Sequence, residues 1–250
     1  MPSPCAARAL AVLALLMAAC APLVRETAPQ PGPALAQAPA SFPRADYEQL
    51  TARGQAVYRI DPALSLVAIT VRRGGSLARL GHDHVVASHG IQGYMAPEAG
   101  CADLYVPLDE LSVDEPALRA EAGLDTQPSE SDIAGTRANM LDKVLATQQF
   151  PFALIRVTGV EQRLTNGRLT AAITLHGVTR AFEVPARIET ESDAMRITGS
   201  LEFKQSDFGI APFSILGGAI QVQDQIKLSF KIQSRKVGNP SDPFTSWPMR

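Results

Sequence analysis

The chain has 250 residues, 46% hydrophobic and 19% charged, with a formal net charge of −2. That length suits one large domain or two small ones, and the composition supplies a packed core without a membrane span. Lys and Arg form no long runs, which argues against nucleic acid as a partner, since such binding rests on phosphate neutralisation by a basic face.

The first segment, 1–19, reads as an export signal of the lipoprotein type. Arg8 supplies the positive start, and Ala9 to Ala19 is an apolar run too short for a bilayer, which needs ~20 residues. It ends Leu16-Met17-Ala18-Ala19-Cys20, small residues before a cysteine, as in a lipobox whose cysteine is acylated. An ordinary signal peptide cut near Ala19 is the alternative. With Cys5 removed and Cys20 lipidated, only Cys101 remains, so no internal disulfide is expected. Cys101 is expected to be a small buried hydrophobe. Residues 20–52 are rich in Ala and Pro (Pro22, Pro29, Pro31, Pro33, Pro39, Pro43) and read as an extended tether. The expected location is periplasmic and membrane-anchored, with a soluble periplasmic or secreted protein as the alternative.

From 53 to 236 the dominant period is two. Tyr58-Arg59-Ile60 leads into Ser65–Arg72, with Val67, Ile69 and Val71 on one face. Further β-rich runs are His84–Ser88, Ala102–Leu108, Phe152–Val157, Arg168–Leu175, Phe182–Ile188, Met195–Phe203 and Ile220–Ile232. Asn166-Gly167 reads as a hairpin turn, and His176-Gly177 as another tight connection. One helix is expected from Ile133 to about Thr147, N-capped by Asp132, with Ile133, Met140, Leu141, Val144 and Leu145 on one stripe. Residues 237–250 read as an irregular tail. The fold class is all-β: about eight antiparallel strands, as a barrel or a two-sheet sandwich, with one α-helix.

These segments, taken in order, resemble the YceI-like, polyisoprenoid-binding, lipocalin-like family. The resemblance covers roughly 56–236. It rests on Tyr58-Arg59-Ile60-Asp61-Pro62-Ala63-Leu64-Ser65, on Asn139-Met140-Leu141 to Phe150-Pro151, on Leu169 to Val184 with Leu175-His176-Gly177-Val178-Thr179-Arg180 at its turn, and on Ser206-Asp207-Phe208-Gly209-Ile210 before a closing strand. It implies an eight-stranded antiparallel barrel closed at one end by a helix. It also implies an apolar tunnel for an isoprenoid chain, of the polyprenyl phosphate or quinone type. Leu64 and Arg73 stand where family members commonly carry histidines, and Leu80-Gly81-His82-Asp83-His84 departs from the usual pattern.

Alternation nominates Val67, Ile69, Val71, Leu104, Val106, Leu154, Ile173, Leu175, Ile197 and Leu228 as inward residues that contact such a lipid. His82, His84 and Arg137 are the polar candidates for its head. Each apolar residue could equally be plain core, and a small barrel can be filled by its own side chains, which would make a structural envelope protein. A second class of function is metal binding by His82, His84 and His89, the first two sharing a face of a strand. A metal-dependent or acid–base hydrolase would pair Asp83 or Asp207 with His82 or His84. The chain carries no Gly-x-Ser-x-Gly, His-Glu-x-x-His or P-loop motif, so binding is expected rather than catalysis, with no cofactor. The expected partners are an apolar lipid and, through Cys20, a membrane.

Overall fold

A computed structural model describes residues 37–160 and 166–238; the expected signal segment, Cys20 and the tail from 239 onward lie outside them. In chain order the elements are helix α1 (Arg44–Ala52), strands β1 (Tyr58–Ile60), β2 (Leu66–Val71), β3 (Arg73–Gly74), β4 (His84–Ser88), β5 (Gln92–Ala96), β6 (Cys101–Pro107) and β7 (Ser112–Val113), helices α2 (Pro116–Glu121) and α3 (Glu130–Asn139), and strands β8 (Phe152–Thr158), β9 (Asn166–Leu175), β10 (Val178–Glu191), β11 (Ala194–Lys204), β12 (Ser214–Ile215), β13 (Ile220–Val222) and β14 (Gln225–Lys236). None of the helices among the described residues is long and apolar enough to cross a membrane.

Strands β1, β5, β6, β8, β9, β10, β11 and β14 follow one another round a ring, which closes because β1 pairs with both β5 and β14. The result is the expected eight-stranded antiparallel barrel. Residues opposite each other on such a ladder point to the same side. Val67 faces Phe230, Ile69 faces Leu228, Ile155 faces Ile173 and Ile197 faces Ile232, so the period-two pattern collects apolar side chains in one interior.

One wall is built from two pieces. Asp61-Pro62 interrupts the first run: Asp61 accepts a hydrogen bond from the Ala63 amide at 3.2 Å, and Pro62 has no amide hydrogen to give a ladder. Strand β14 therefore pairs with β1 near its C-terminal end and with β2 near its start. Similarly, β4 pairs with β2, and β5 takes over beside β1. The register defines two ends. The upper end carries Val71, His84, Pro107, Phe152, Leu175, Lys204 and Gln225. Over it lie α3 and a small sheet of β12, β13 and β3. The lower end is stoppered: Tyr58, Met95 and Val160 are 1% exposed and Met195 is 0% exposed.

Several expectations are corrected. The tether ends before residue 52, because α1 occupies 44–52 and buries Tyr47 against the outer wall with Val57, Tyr94, Ala96 and Val237. Phe42 adds an edge-on contact with Tyr105 at 4.9 Å between ring centres. These two aromatics supply the burial that composition alone denied the segment. The helix begins earlier than expected. Ser129, not Asp132, is the N-cap, and Asp132 completes a capping box by accepting the Ser129 amide hydrogen at 3.1 Å. After Asn139 the helix widens into a π-type turn over Met140–Val144, with the Leu145 amide donating to the Met140 carbonyl at 2.9 Å.

Asn166 and Gly167 are strand residues, paired with Arg187 and Ala186, because β10 runs on to Glu191 and takes them as ladder partners. The run Ile220–Ile232 is split, its first three residues joining β12 and β3 rather than the barrel. By contrast, His176-Gly177 forms the tight connection between Leu175 and its partner Val178. Their φ values of 53° and 75° are the paired positive angles that a two-residue hairpin turn with strand-like twist requires. Cys101 is a free thiol and only half-buried.

Candidate lipid-binding lumen

The barrel interior encloses a cavity of about 620 Å³. That falls within the ~300–1,000 Å³ of typical ligand pockets. Its walls are almost entirely aliphatic and aromatic. Val67, Ile69, Val71, Leu104, Val106, Ile173, Leu175, Ile197 and Leu228 all line it, nine of the ten apolar residues expected. Leu154 does not, although its neighbours Ala153 and Ile155 do. Leu154 is opposite Tyr105 in the ladder, and Leu104 and Val106 on either side of Tyr105 take the inward places, so Tyr105 and Leu154 share the outer face.

Small residues take some of the inward positions. Ala153 and Ala171 face it, and at Gly199 a methyl group would meet the Phe230 ring and the Pro185 carbonyl, both at 2.6 Å. Gly199 thus leaves space for a lumen-lining aromatic directly across the ladder. At the upper end Met140, Val144 and Leu145 of the helical segment line the cavity together with Phe203 and Phe213, while Phe230 lines the wall further down. Sequence reasoning found the helical stripe but not its lumen contact, and it missed the three phenylalanines.

Polar lining includes His82 and His84 of the Gly81–His84 segment and Ser131, Asp132, Thr136 and Asn139 of α3. Both His82 and His84 line the cavity, with ring centres 6.2 Å apart. His84 is fixed from behind: its Nδ1 donates to Asp114 Oδ2 at 2.6 Å. Asp114 Oδ1 accepts from the Val85 amide at 3.0 Å and from Arg119 Nη1 at 2.6 Å. The Asp114 side chain is wholly buried. Burial alone would raise its carboxyl; the hydrogen bonds from His84, the Val85 amide and Arg119 outweigh that and hold it below the ordinary value of 3.8. Asp114 and Arg119 were not foreseen, because nothing in their spacing marks them. Asp114 reaches the site through a residue with φ of 59°, a conformation Asp tolerates better than most.

Arg137 is not a lumen residue. It donates through Nε to the Leu111 carbonyl at 2.8 Å and through Nη2 to the Asp109 carbonyl, pinning α3 to the β6–β7 loop. The three-histidine set is not assembled either. His89 is exposed and bonded to Glu115 at 3.1 Å, while His84 is committed to Asp114. Among the described residues no group of three or more His, Cys, Asp or Glu side chains is disposed to hold a metal. Neither proposed acid–base carboxylate meets a histidine. Asp83 accepts from the Arg73 amide at 2.8 Å and from Arg72 at 2.9 Å, and Asp207 accepts the Lys204 amide at 3.2 Å.

Comparisons with known proteins agree with this geometry. The family description "YceI-like domain" matches residues 58–234. A polyisoprenoid-binding domain from Saccharophagus degradans, implicated in plant cell wall breakdown, is 14% identical with a TM-score of 0.52, over 72% of this chain and 98% of that one. Burkholderia cenocepacia BcnA is 14% identical with a TM-score of 0.48, over 70% and 98% of the two chains. A Campylobacter jejuni YceI protein is 14% identical with a TM-score of 0.40, over 58% and 78%. A search of curated proteins finds no match. The first of these structures supports the same barrel fold.

Proposed function

The chain belongs to the YceI-like domain family, and from that premise we propose that it is a binding module whose barrel lumen takes an apolar isoprenoid lipid. The observation that carries this reading is the size and apolar lining of the barrel cavity, about 620 Å³. A prenyl chain laid along these walls gains about 0.8 kcal/mol per buried CH₂ group. The neighbouring structure described as a polyisoprenoid-binding domain supports the same ligand class. Catalysis has no comparable support, since the carboxylates near the lumen are already engaged by arginines, backbone amides and His84.

The test is direct. Protein purified without detergent is extracted with organic solvent and the extract examined by mass spectrometry, with added long-chain prenyl lipid as a second arm. A stoichiometric prenyl lipid, or its uptake, is expected. Trace lipid together with no uptake overturns the reading.

The export reading of residues 1–19 supports a cell-envelope location for this module, with Cys20 as a lipid anchor in the membrane. Radiolabelled palmitate is expected to enter the protein in cells and to be lost in Cys20→Ala. Equal labelling of the two sinks the anchor.

A further inference from the structure

We propose that a lip at the upper end of the barrel, made by the 3-10 turn Ala78–Leu80 and the β12–β13 hairpin, docks on the surface of a bilayer that contains anionic lipid. The contact is read from the surface and goes beyond the lumen reading. It rests on that reading only for its use, since the guest proposed above is itself a membrane lipid.

Among the described residues four large hydrophobic side chains are exposed, and three of them, Leu80 (61%), Ile215 (46%) and Leu216 (69%), sit on this lip. One exposed leucine is ordinary, but a cluster rimmed by polar residues marks a contact surface. The two segments form one unit. Arg73 and Gly74 pair with Val222 and Gln221, Ile215 faces Ile220, and the Leu77 amide donates to the Ala219 carbonyl at 2.8 Å. At Gly75 a methyl group would stand 2.4 Å from the Ala219 carbonyl oxygen, so glycine is what lets the two turns lie this close. Leu216 has a φ of 52°, an angle a leucine seldom adopts. The fold thus holds an exposed leucine where asparagine would sit more easily. Leu80 and Ile215 also line the cavity, so the same two side chains belong to the lumen wall and to the lip. A lipid passing between bilayer and lumen there keeps apolar contact.

Charge says what covers the lip. Residues 72–84 carry Arg72, Arg73 and Arg79 against one carboxylate, Asp83, and residues 211–223 carry no charged side chain. Asp83 is engaged by Arg72 at 2.9 Å and by the Arg73 amide at 2.8 Å. Arg79 is exposed and makes no ion pair among the described residues. Exposed Lys143 stands 5.9 Å from the centre of the Phe213 ring, which lines the cavity. The carboxylates at this end, Asp132, Asp142, Asp207 and Asp224 among them, lie outside the two lip segments. Arg and Lys can lay their stems along apolar surface and keep their heads among phosphates, and a basic fringe beside leucines suits anionic headgroups. A stable protein interface takes roughly 20–30 residues a side, far more than this lip offers. A bilayer surface accepts a few inserted apolar side chains, with attraction to anionic lipid adding to them.

The experiment measures co-sedimentation of the full chain with phosphatidylcholine vesicles, with and without phosphatidylglycerol. Every chain carries Cys20→Ala, so acylation plays no part, and this parent is compared with Leu216→Asn and Arg79→Glu. Neither of those residues lines the cavity. The parent is expected to bind the mixed vesicles more tightly than the neutral ones. Leu216→Asn should weaken binding to both about tenfold, the worth of one leucine withdrawn from water. Arg79→Glu should weaken binding to the mixed vesicles alone. Squalene uptake is read in parallel from a cyclodextrin solution and from the mixed vesicles. Both variants should match the parent with cyclodextrin and lag behind it with vesicles. A parent that binds no vesicles, or a Leu216→Asn chain that binds them as well as the parent, overturns the docking. So does a parent dimer that Leu216→Asn dissolves, since a second copy would then cover the lip. Arg79→Glu indifferent to phosphatidylglycerol overturns the preference for anionic lipid. Squalene taken up from neither source, while the variants still lose the vesicles, overturns the lumen reading and leaves the docking in place.

Discussion

Replacing Ala171 with Trp would place an indole in the middle of the lumen. Ala171 sits on β9, faces the cavity and is 6% exposed, with Val157 and Phe182 opposite it in the ladder. A bulky aromatic covers about 150–250 Å² of apolar surface. At about 25 cal/mol per Å², excluding a lipid tail from that much wall removes up to about 4–6 kcal/mol of binding. A tail can bend round part of the obstruction, so a loss of at least ~100-fold is expected. Stability should move the other way. In a filled core an added ring costs about 1–3 kcal/mol, but here it enters an existing void of about 620 Å³, so the urea midpoint should hold or rise. Ala172→Trp, one residue along on the outer face, is the control and should leave lipid uptake intact. Urea melts and solvent extraction of both variants read the result. Wild-type binding by Ala171→Trp, or destabilisation of the size seen for an overpacked core, would mean that side chains fill the lumen in solution and that the reasoning is wrong.

Other predictions concern the scaffold. Asp114→Asn leaves buried Arg119 without its counter-charge and should cost about 3–5 kcal/mol in urea unfolding. Asp114 is held below its ordinary value of 3.8, so its contribution is present above that pH and is lost as pH falls through the lower folded value. The acid limb of the stability profile should therefore flatten in Asp114→Asn, and an unchanged limb would assign the effect to other carboxylates. Phe208 is fully buried and meets Phe203 edge-on at 5.3 Å between ring centres, so Phe208→Ala should cost about 3–5 kcal/mol. Tyr47→Phe removes the hydrogen bond at 2.9 Å to Asp103 and a weak one at 4.0 Å to Cys101 Sγ, while Asp103 keeps Arg156 at 2.8 Å. A loss of about 0.5–1.5 kcal/mol is expected by thermal melting, and a larger one would show that α1 matters more to the barrel than this contact implies.

The barrel was legible because alternation is a local signal. Val67, Ile69 and Val71 sit on one face of any extended chain, and the interior was the only place for that face. Leu154 shows where the signal fails. In a run such as Ala153-Leu154-Ile155 both parities are apolar, and only the partner strand's Tyr105 settles which one turns outward. The hairpin at His176-Gly177 was legible for a similar reason, since positive backbone angles restrict the residues that can serve. The buried Asp114–Arg119 pair was not legible. It joins a strand end to a helix that approaches only after the chain has folded, and a carboxylate five residues from an arginine is ordinary on any surface. Nor did composition reveal α1, whose few aromatic anchors are diluted among alanines and prolines.

The stopper of Tyr58, Met95, Val160 and Met195 makes the barrel a flask and not a pipe. If the lumen takes a lipid as proposed, the guest enters and leaves by the opposite end alone, so loading and unloading there exclude each other.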